Sequence, residues 1–351
     1  MAVGRSNGSR CYSTALLQRV ALLILLTNSL LDTCNWLFHP EPALGSQGDL
    51  QARFRPLQGF RVTGVAAAPV SAPNVFSCTG SCCPPKQSPK LWSPQLQSGP
   101  VRTRLSFQTA FSDPAYVSKY KLAYQKLREL QASNASDPRG WLQQANVHCA
   151  YCSNTYGMDI HRTWLFFPWH RWYLYFHERI LGQLIGDPTF TLPFWNWDSA
   201  AGRAIPAAFL DKSSPIYNAN RNNLNSLMSQ ITSSCSIPQM QSAMLDAQTT
   251  SLFLGKPPGT GSAGGSVELG VHGAVHVATG LQSSPYIDMG SLSSAGKDAL
   301  FYAHHLNIDR LWWLWPQLPP AANGNPRANP TSADWLNSQF AFYDENAQLT
   351  M

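Results

Sequence analysis

Six of the nine histidines fall into two triplets, His148, His161 and His170, then His272, His276 and His305, and this arrangement constrains the fold of the chain more than any other feature. Neutral imidazole is the commonest protein ligand for copper and zinc, and three imidazoles on one ion leave a position open for a small molecule such as dioxygen. Two such triplets read as a two-metal site. The demand on the fold is severe, because six polar rings from distant stretches of chain must converge on one dry, rigid place.

The spacings suit helices. His272 and His276 are four residues apart, so a helix projects both from one face about a turn from each other. His305 follows within AHHLNID (303–309), where Asp309, one turn on, can orient nearby ligands. Its neighbour His304 is a rival: adjacent helical residues point about 100° apart, so one of the two is the expected ligand, and His305 is preferred. His170 lies in FFPWHRW (166–172), whose aromatic density would keep a site dry; aromatic core packing is the competing reading for any one histidine there. His177 is expected to pack behind the site, and His39 lies outside the domain.

Helical periodicity is clearest from Asp113 and Pro114, a cap followed by a first-turn proline, through Val117, Tyr120, Tyr124 and Leu127, a helix that reads as scaffold. Further helices are read at about 169–185, 267–279 and 297–315. Four helices carrying inward ligands make a bundle. The expected fold is therefore mainly α, a four-helix bundle around a dinuclear metal site, with long irregular loops and a few short strands.

With 351 residues, 44% hydrophobic and 13% charged, the chain can build one core of roughly 200–250 residues. The net charge of +6 is scattered rather than gathered into a run, which excludes nucleic-acid binding. Residues 1–31 hold no acid, carry Arg5, Arg10 and Arg19, and are apolar from Val20 to Leu31 apart from Thr27, Asn28 and Ser29. That stretch is short of the roughly 20 residues of a membrane span, so a targeting segment over 1–45 is expected, with no stable membrane insertion after processing. A secretory signal, leading outside the cell or to the vacuole, is preferred. The alternative is import into the plastid thylakoid lumen, with processing as late as residue 68, after Ala66, Ala67 and Ala68. The sequon Asn134-Ala135-Ser136 would matter only on the secretory route. Residues 46–98 read as a Pro/Ser/Gly-rich lead-in with disulfide cysteines, and 99–346 as the catalytic domain.

Four segments, NVHCAYC (146–152), WLFFPWHRWY (164–173), LPFWNWD (192–198) and FYAHHLNIDRLW (301–312), resemble the plant polyphenol oxidases, the catechol oxidases and tyrosinases with a coupled dicopper centre. The likeness runs from about Phe76 to Asp344. It implies two copper ions per chain, the first held by His148, His161 and His170 and the second by His272, His276 and His305. It also implies disulfides Cys82–Cys149 and Cys78–Cys83, and a thioether from Cys152 to His161 that would pin an imidazole on a loop without helical register. The cysteines by themselves also allow a zinc site from Cys78, Cys82, Cys149 and Cys152, and they leave Cys235 as a buried thiol. The implied reaction is oxidation of o-diphenols (catechols) to o-quinones with reduction of dioxygen to water, so a small phenol and dioxygen are the expected partners; oligomeric state is not assigned.

Glu268, four residues before His272, resembles the family's glutamate that holds a water on the route of the phenolic proton; a solvent-facing carboxylate favoured by the helix dipole is the competing reading. Three pocket positions depart from the family pattern or set the pocket's shape. Gly273 stands where many relatives have an Asn proposed to position a water that deprotonates monophenols, Val277 follows His276, and Leu292 takes the place of a common gating Phe. Diphenol oxidation is accordingly expected ahead of monophenol hydroxylation, through a wider entrance. The family's C-terminal shielding domain is expected to be absent after Asn346, and a missing final strand would leave an exposed edge. An inactive truncated member and a haemocyanin-like reversible oxygen binder are the alternatives.

Overall fold

The computed structural model describes residues 33–35 (backbone), 82–93, 101–152, 160–222, 225–260 and 263–351. The rest of the targeting segment, the possible processing site at 66–68, His39 and Cys78 lie outside the described residues.

The architecture is mainly helical. Strand β1 (Thr33–Asn35) pairs antiparallel with β2 (Thr103–Leu105), which leads into the short helix α1 (Phe107–Phe111). Helix α2 (Pro114–Ser133) starts as expected: the Asp113 side chain accepts from Ala115 N and Pro114 occupies the first turn, where its missing N–H costs nothing. Then come α3 (Trp141–Cys152) and α4 (Phe166–Leu184), with short helices α5 (Asn225–Ser234), α6 (Ile237–Met244) and α7 (Thr250–Leu254) beyond. A one-turn π segment, Glu268–His272, bends at Gly270 into α8 (Gly273–Thr279). The chain continues with α9 (Ala299–Leu314), α10 (Ala333–Leu336) and the hairpin β3 (Phe342–Tyr343) and β4 (Leu349–Thr350). No helix among the described residues is long and apolar enough to cross a membrane.

The four helices around the site are α3, α4, α8 and α9. The sequence reading takes α2 as scaffold, and α2 does pack outside them, but that reading has no helix at α3. The reason is that α3 is buried almost all round, Trp141, Gln144, Ala145, Val147, His148, Cys149, Ala150 and Tyr151 included, so it has no polar face to reveal its period. Helices α4 and α9 form the central pair. Tyr173 and Tyr302 meet hydroxyl to hydroxyl at 3.0 Å, and His177 stacks on Tyr302 at 3.6 Å between ring centroids. Arg171 spans the two helices to Asp309 at 2.6 Å while lying 3.8 Å from the Trp312 ring centroid. Asp309 is thus engaged by an arginine and does not orient a ligand histidine.

The segment 192–198 threads beside this pair. Trp195 N donates to Ala303 O at 2.9 Å, Phe194 N to Leu105 O at 2.9 Å, and Phe107 N to Phe194 O at 2.9 Å. Buried ion pairs lock its ends: Arg104 to Glu178 at 2.9 Å and Arg310 to Asp198 at 3.1 Å. Cutting one member from such a pair leaves an uncompensated charge and costs about 3–5 kcal/mol.

The expected exposed edge is not found. Strand β4 pairs with β3 on one side, and on the other Lys90 exchanges backbone bonds with Leu349 and Met351 at 2.9 and 3.0 Å. Trp92 then inserts among Trp172, Tyr175 and Phe176 with centroids 5.2–5.7 Å away, so the lead-in and the end of the chain close over α4 together.

Candidate metal centre

The structure brings all six triplet histidines into one buried cluster. His148 comes from α3, His161 from the loop before α4, His170 from α4, His272 from the π turn, His276 from α8 and His305 from α9. None is more than 7% exposed. The rings of His148, His161 and His170 form a triangle with centroid separations of 5.3–5.5 Å, and those of His272, His276 and His305 one of 4.6–5.3 Å. Three imidazoles bound at about 2.0–2.1 Å, each centroid about 1.2 Å beyond its nitrogen, would stand about 5–5.5 Å apart, which is the spacing seen. The two triangles share a wall, where His170 and His305 stack at 4.2 Å with planes 10° apart.

Backbone carbonyls set the tautomers. Nδ1–H donates to Phe166 O in His170 (2.7 Å), to Glu268 O in His272 (3.0 Å) and to Met289 O in His276 (2.8 Å). Each of these rings then turns an Nε2 lone pair inward, and Nε2 of His170 and of His272 is buried with no hydrogen-bond partner. A buried, orphaned acceptor is costly unless something positive meets it, so the donor set fits a metal ion. His276 Nε2 and His305 Nε2 lie 3.1 Å apart, the separation of two nitrogens sharing one ion. Burial holds all six imidazoles below the ordinary histidine value, His148 at about 3 and His276 at about 4; in all but His276 neighbouring imidazoles add repulsion. Neutral rings are the form a metal requires.

Glu268 joins the two halves. It is 5% exposed, which removes the solvent-facing reading. Its Oε1 accepts from Arg162 N at 2.6 Å, next to His161, and its own carbonyl accepts the hydrogen bond from His272 Nδ1–H. Arg162 sits at φ +58°, in the left-handed region that costs a non-glycine residue energy, and the Glu268 bond holds it there. The π turn makes this possible by setting Glu268 and His272 on the inner side of the bend at Gly270.

The cysteines divide as follows. Cys82 and Cys149 form a disulfide beside His148, with Cα atoms 5.4 Å apart, and so cannot serve as thiolate zinc ligands. Cys83 is disulfide-bonded, while Cys78 lies outside the described residues. Cys152 Sγ lies 3.3 Å from His148 Nδ1 and is grouped with His148 and His161 in one potential ligand set. Cys235 is a buried thiol, pushed up to about 12 by burial.

At the mouth, Val277 and Leu292 are 66% and 44% exposed, and a Cβ added to Gly273 would meet only Glu268 O, at 3.5 Å. Several contributors left no local signal in the sequence. The Met289 carbonyl reaches His276 from a turn pressed against Gly280, where any Cβ would lie 2.1 Å from Gly290 N. Phe166 packs at 4.7 Å from both His170 and His272, wedged between the triplets. Trp197, inside the LPFWNWD motif, donates its indole N–H to His304 Nδ1 at 3.0 Å.

Comparison with known proteins agrees with this geometry. Residues 138–318 match the common central domain of tyrosinase, and 329–350 match the polyphenol oxidase middle domain. The chain is 40% identical over 296 residues to (+)-larreatricin hydroxylase, chloroplastic, of Larrea tridentata, covering 76% of this chain and 49% of that one. It superposes on the polyphenol oxidase of Grenache grape (Vitis vinifera) with a TM-score of 0.71 at 35% identity, covering 81% of this chain and 92% of that one. It superposes on an active aurone synthase, a polyphenol oxidase whose structure contains a copper B, with a TM-score of 0.67 at 34% identity, covering 81% and 94%. The chain spans about half the length of the curated relatives it matches.

Proposed function

The chain belongs to the plant polyphenol oxidase family, and on that premise we propose that it oxidises o-diphenols to o-quinones at two copper ions, one held by His148, His161 and His170 and the other by His272, His276 and His305. The observation that carries the proposal is the pair of imidazole triangles sharing the His170–His305 wall. When bound, the copper pair supplies the electron transfer from the phenol to dioxygen, two catechols and one dioxygen giving two quinones and two waters. The protein supplies the rest. Carbonyls of Phe166, Glu268 and Met289 keep lone pairs pointed inward, and Phe166 and Phe301 keep bulk water out, Phe301 lying 4.8 Å from His148 and 4.2 Å from His305. Glu268, buried between the two halves and held by Arg162 N, receives the phenolic proton. Cys152 and His161 are the thioether pair, and Cys78 with Cys83 the second disulfide. Val277, Leu292 and Gly273 line the entrance.

Relatives named chloroplastic support the plastid over the secretory route for this chain. A second reading, hydroxylation of a monophenol, is favoured by one relative's name, (+)-larreatricin hydroxylase, and opposed by Gly273.

The test is copper content of the purified protein together with oxygen uptake, first on 4-methylcatechol and then on tyrosine. About two coppers per chain with rapid catechol-dependent uptake is expected. Two coppers without uptake would replace the oxidase by an oxygen binder or an inactive form, and no copper would overturn the site.

A further inference from the structure

We infer that Trp197 is a positioning residue that keeps His304 off the second metal ion and so preserves that ion's open coordination position. The inference rests on the copper reading above. Four imidazoles surround the second position rather than three, because ligand atoms of His272, His276, His304 and His305 all lie within 4.8 Å of one another and all four rings are buried. Three nitrogens leave an ion a place for a small molecule; four complete a tetrahedral shell and close it. Something must hold the fourth imidazole back.

Its hydrogen bonding does so. An indole N–H can only donate, so the 3.0 Å contact from Trp197 Nε1 makes His304 Nδ1 the acceptor. A neutral imidazole has one N–H and one lone pair, and His304 must therefore carry its proton on Nε2. Both nitrogens are withheld from the metal, Nδ1 by the indole and Nε2 by its own hydrogen. In His272 and His276 the polarity is reversed: carbonyl acceptors take Nδ1–H and leave Nε2 free to bind. One cluster thus holds two tautomers, that of His272 and His276 set by carbonyl acceptors and that of His304 set by an indole donor.

The donor is itself fixed. Trp197 has no exposed surface. Its neighbour Trp195 bonds through its N–H to Ala303 O at 2.9 Å, one residue before His304. Asp198 is tied to Asn307 at 2.8 Å and Arg310 at 3.1 Å on the same helix. Trp197 therefore follows α9 and cannot swing from His304 without breaking those bonds.

The experiment uses metal-loaded protein and three variants, Trp197→Phe, His304→Phe and the double. In Trp197→Phe the indole donor is gone, His304 can move its proton to Nδ1, and Nε2 can join the ion. Release of the second metal to a chelator should slow about tenfold or more, while catechol oxidation falls about 10–100-fold. The double variant should release metal and oxidise catechol within threefold of His304→Phe alone, a rescue that a packing role for Trp197 would not produce. Metal release from Trp197→Phe at or above the wild-type rate, or a double variant no better than Trp197→Phe, overturns the inference. If Trp197→Phe does not fold, zinc-loaded wild-type protein with 15N-histidine decides the matter. His304, assigned by its loss in His304→Phe, should be protonated at Nε2; a proton at Nδ1 or a metal-bound nitrogen overturns it. A wild-type protein that takes up no metal defeats the copper reading and this inference together, whereas normal loading with His304 on the ion defeats this inference alone.

Discussion

Asp298 offers the sharpest test of what holds the centre in place. It has no exposed surface, caps α9 through Leu300 N at 2.9 Å, and is gripped by Arg221 through Nε at 2.9 Å and through Nη2. Arg221 is equally buried and donates in addition to Phe209 O at 2.8 Å and Ile216 O at 3.2 Å. Asp298→Ala would leave that guanidinium buried among carbonyls alone. Stripping one partner from such a pair costs about 3–5 kcal/mol and losing the cap about 1 more. The sum, about 4–6 kcal/mol, is a large part of the roughly 5–15 kcal/mol that holds a domain together. In a domain of this size each kcal/mol moves Tm by about 2–4 °C, so thermal melting of the metal-loaded protein should drop by roughly 10–20 °C. Since α9 carries His305, copper retention should fall with it. Combining Asp298→Ala with Arg221→Met removes both charges and should restore at least about 2 kcal/mol, because most of the loss is the orphaned charge. A single-variant drop below about 3 °C, or a double variant melting no higher than the single, would refute this account.

Three further outcomes are expected. Metal-free protein should lose stability as pH falls below about 6.5, the value of an unfolded histidine. His148, His177 and His276 stay neutral in the fold down to about 3, 3 and 4, so the unfolded chain binds protons first and the loss continues towards those values. Melting midpoints that stay level between pH 7 and pH 4.5 would contradict it. Cys149→Ser cuts a cross-link across 67 residues, which should cost about 2–4 kcal/mol; it should also loosen His148, measurable as a lower Tm and faster copper loss, and an unchanged midpoint would count against it. Gly273→Asn has room for its Cβ, so the variant should keep catechol oxidation within about threefold while oxygen uptake on tyrosine rises; no rise would remove the role given to Gly273.

What could be read from the sequence was local. The spacing of His272 and His276, the Asp113–Pro114 start of α2 and the density of aromatics around His170 each express a period or a cap within a few residues, and the structure has helices at those places. The choice between His304 and His305 could be posed from the 100° rule but not decided by it, because the hydrogen bond that distinguishes the two rings comes from Trp197, 107 residues away in sequence. Helix α3 was missed because burial on every side erases periodicity. The bend at Gly270 and the Met289 carbonyl were missed for another reason: each is a backbone conformation imposed by a distant partner, which leaves no pattern in side-chain polarity. Asp309 shows the opposite error, in which a carboxylate at a suggestive offset already belongs to Arg171.

The stacking of His170 on His305 has a consequence for how the centre can vary. One ring is rooted in α4 and the other in α9, the two helices at the middle of the core. The gap between the half-sites is therefore set by the diameter of two packed helices, and loops have little say in it. Warming or mild denaturant that frays the entrance around Leu292 would alter who enters while leaving the distance between the two histidine triangles untouched. A single methylene added or removed where α4 meets α9, far from any substrate, would retune that distance at once.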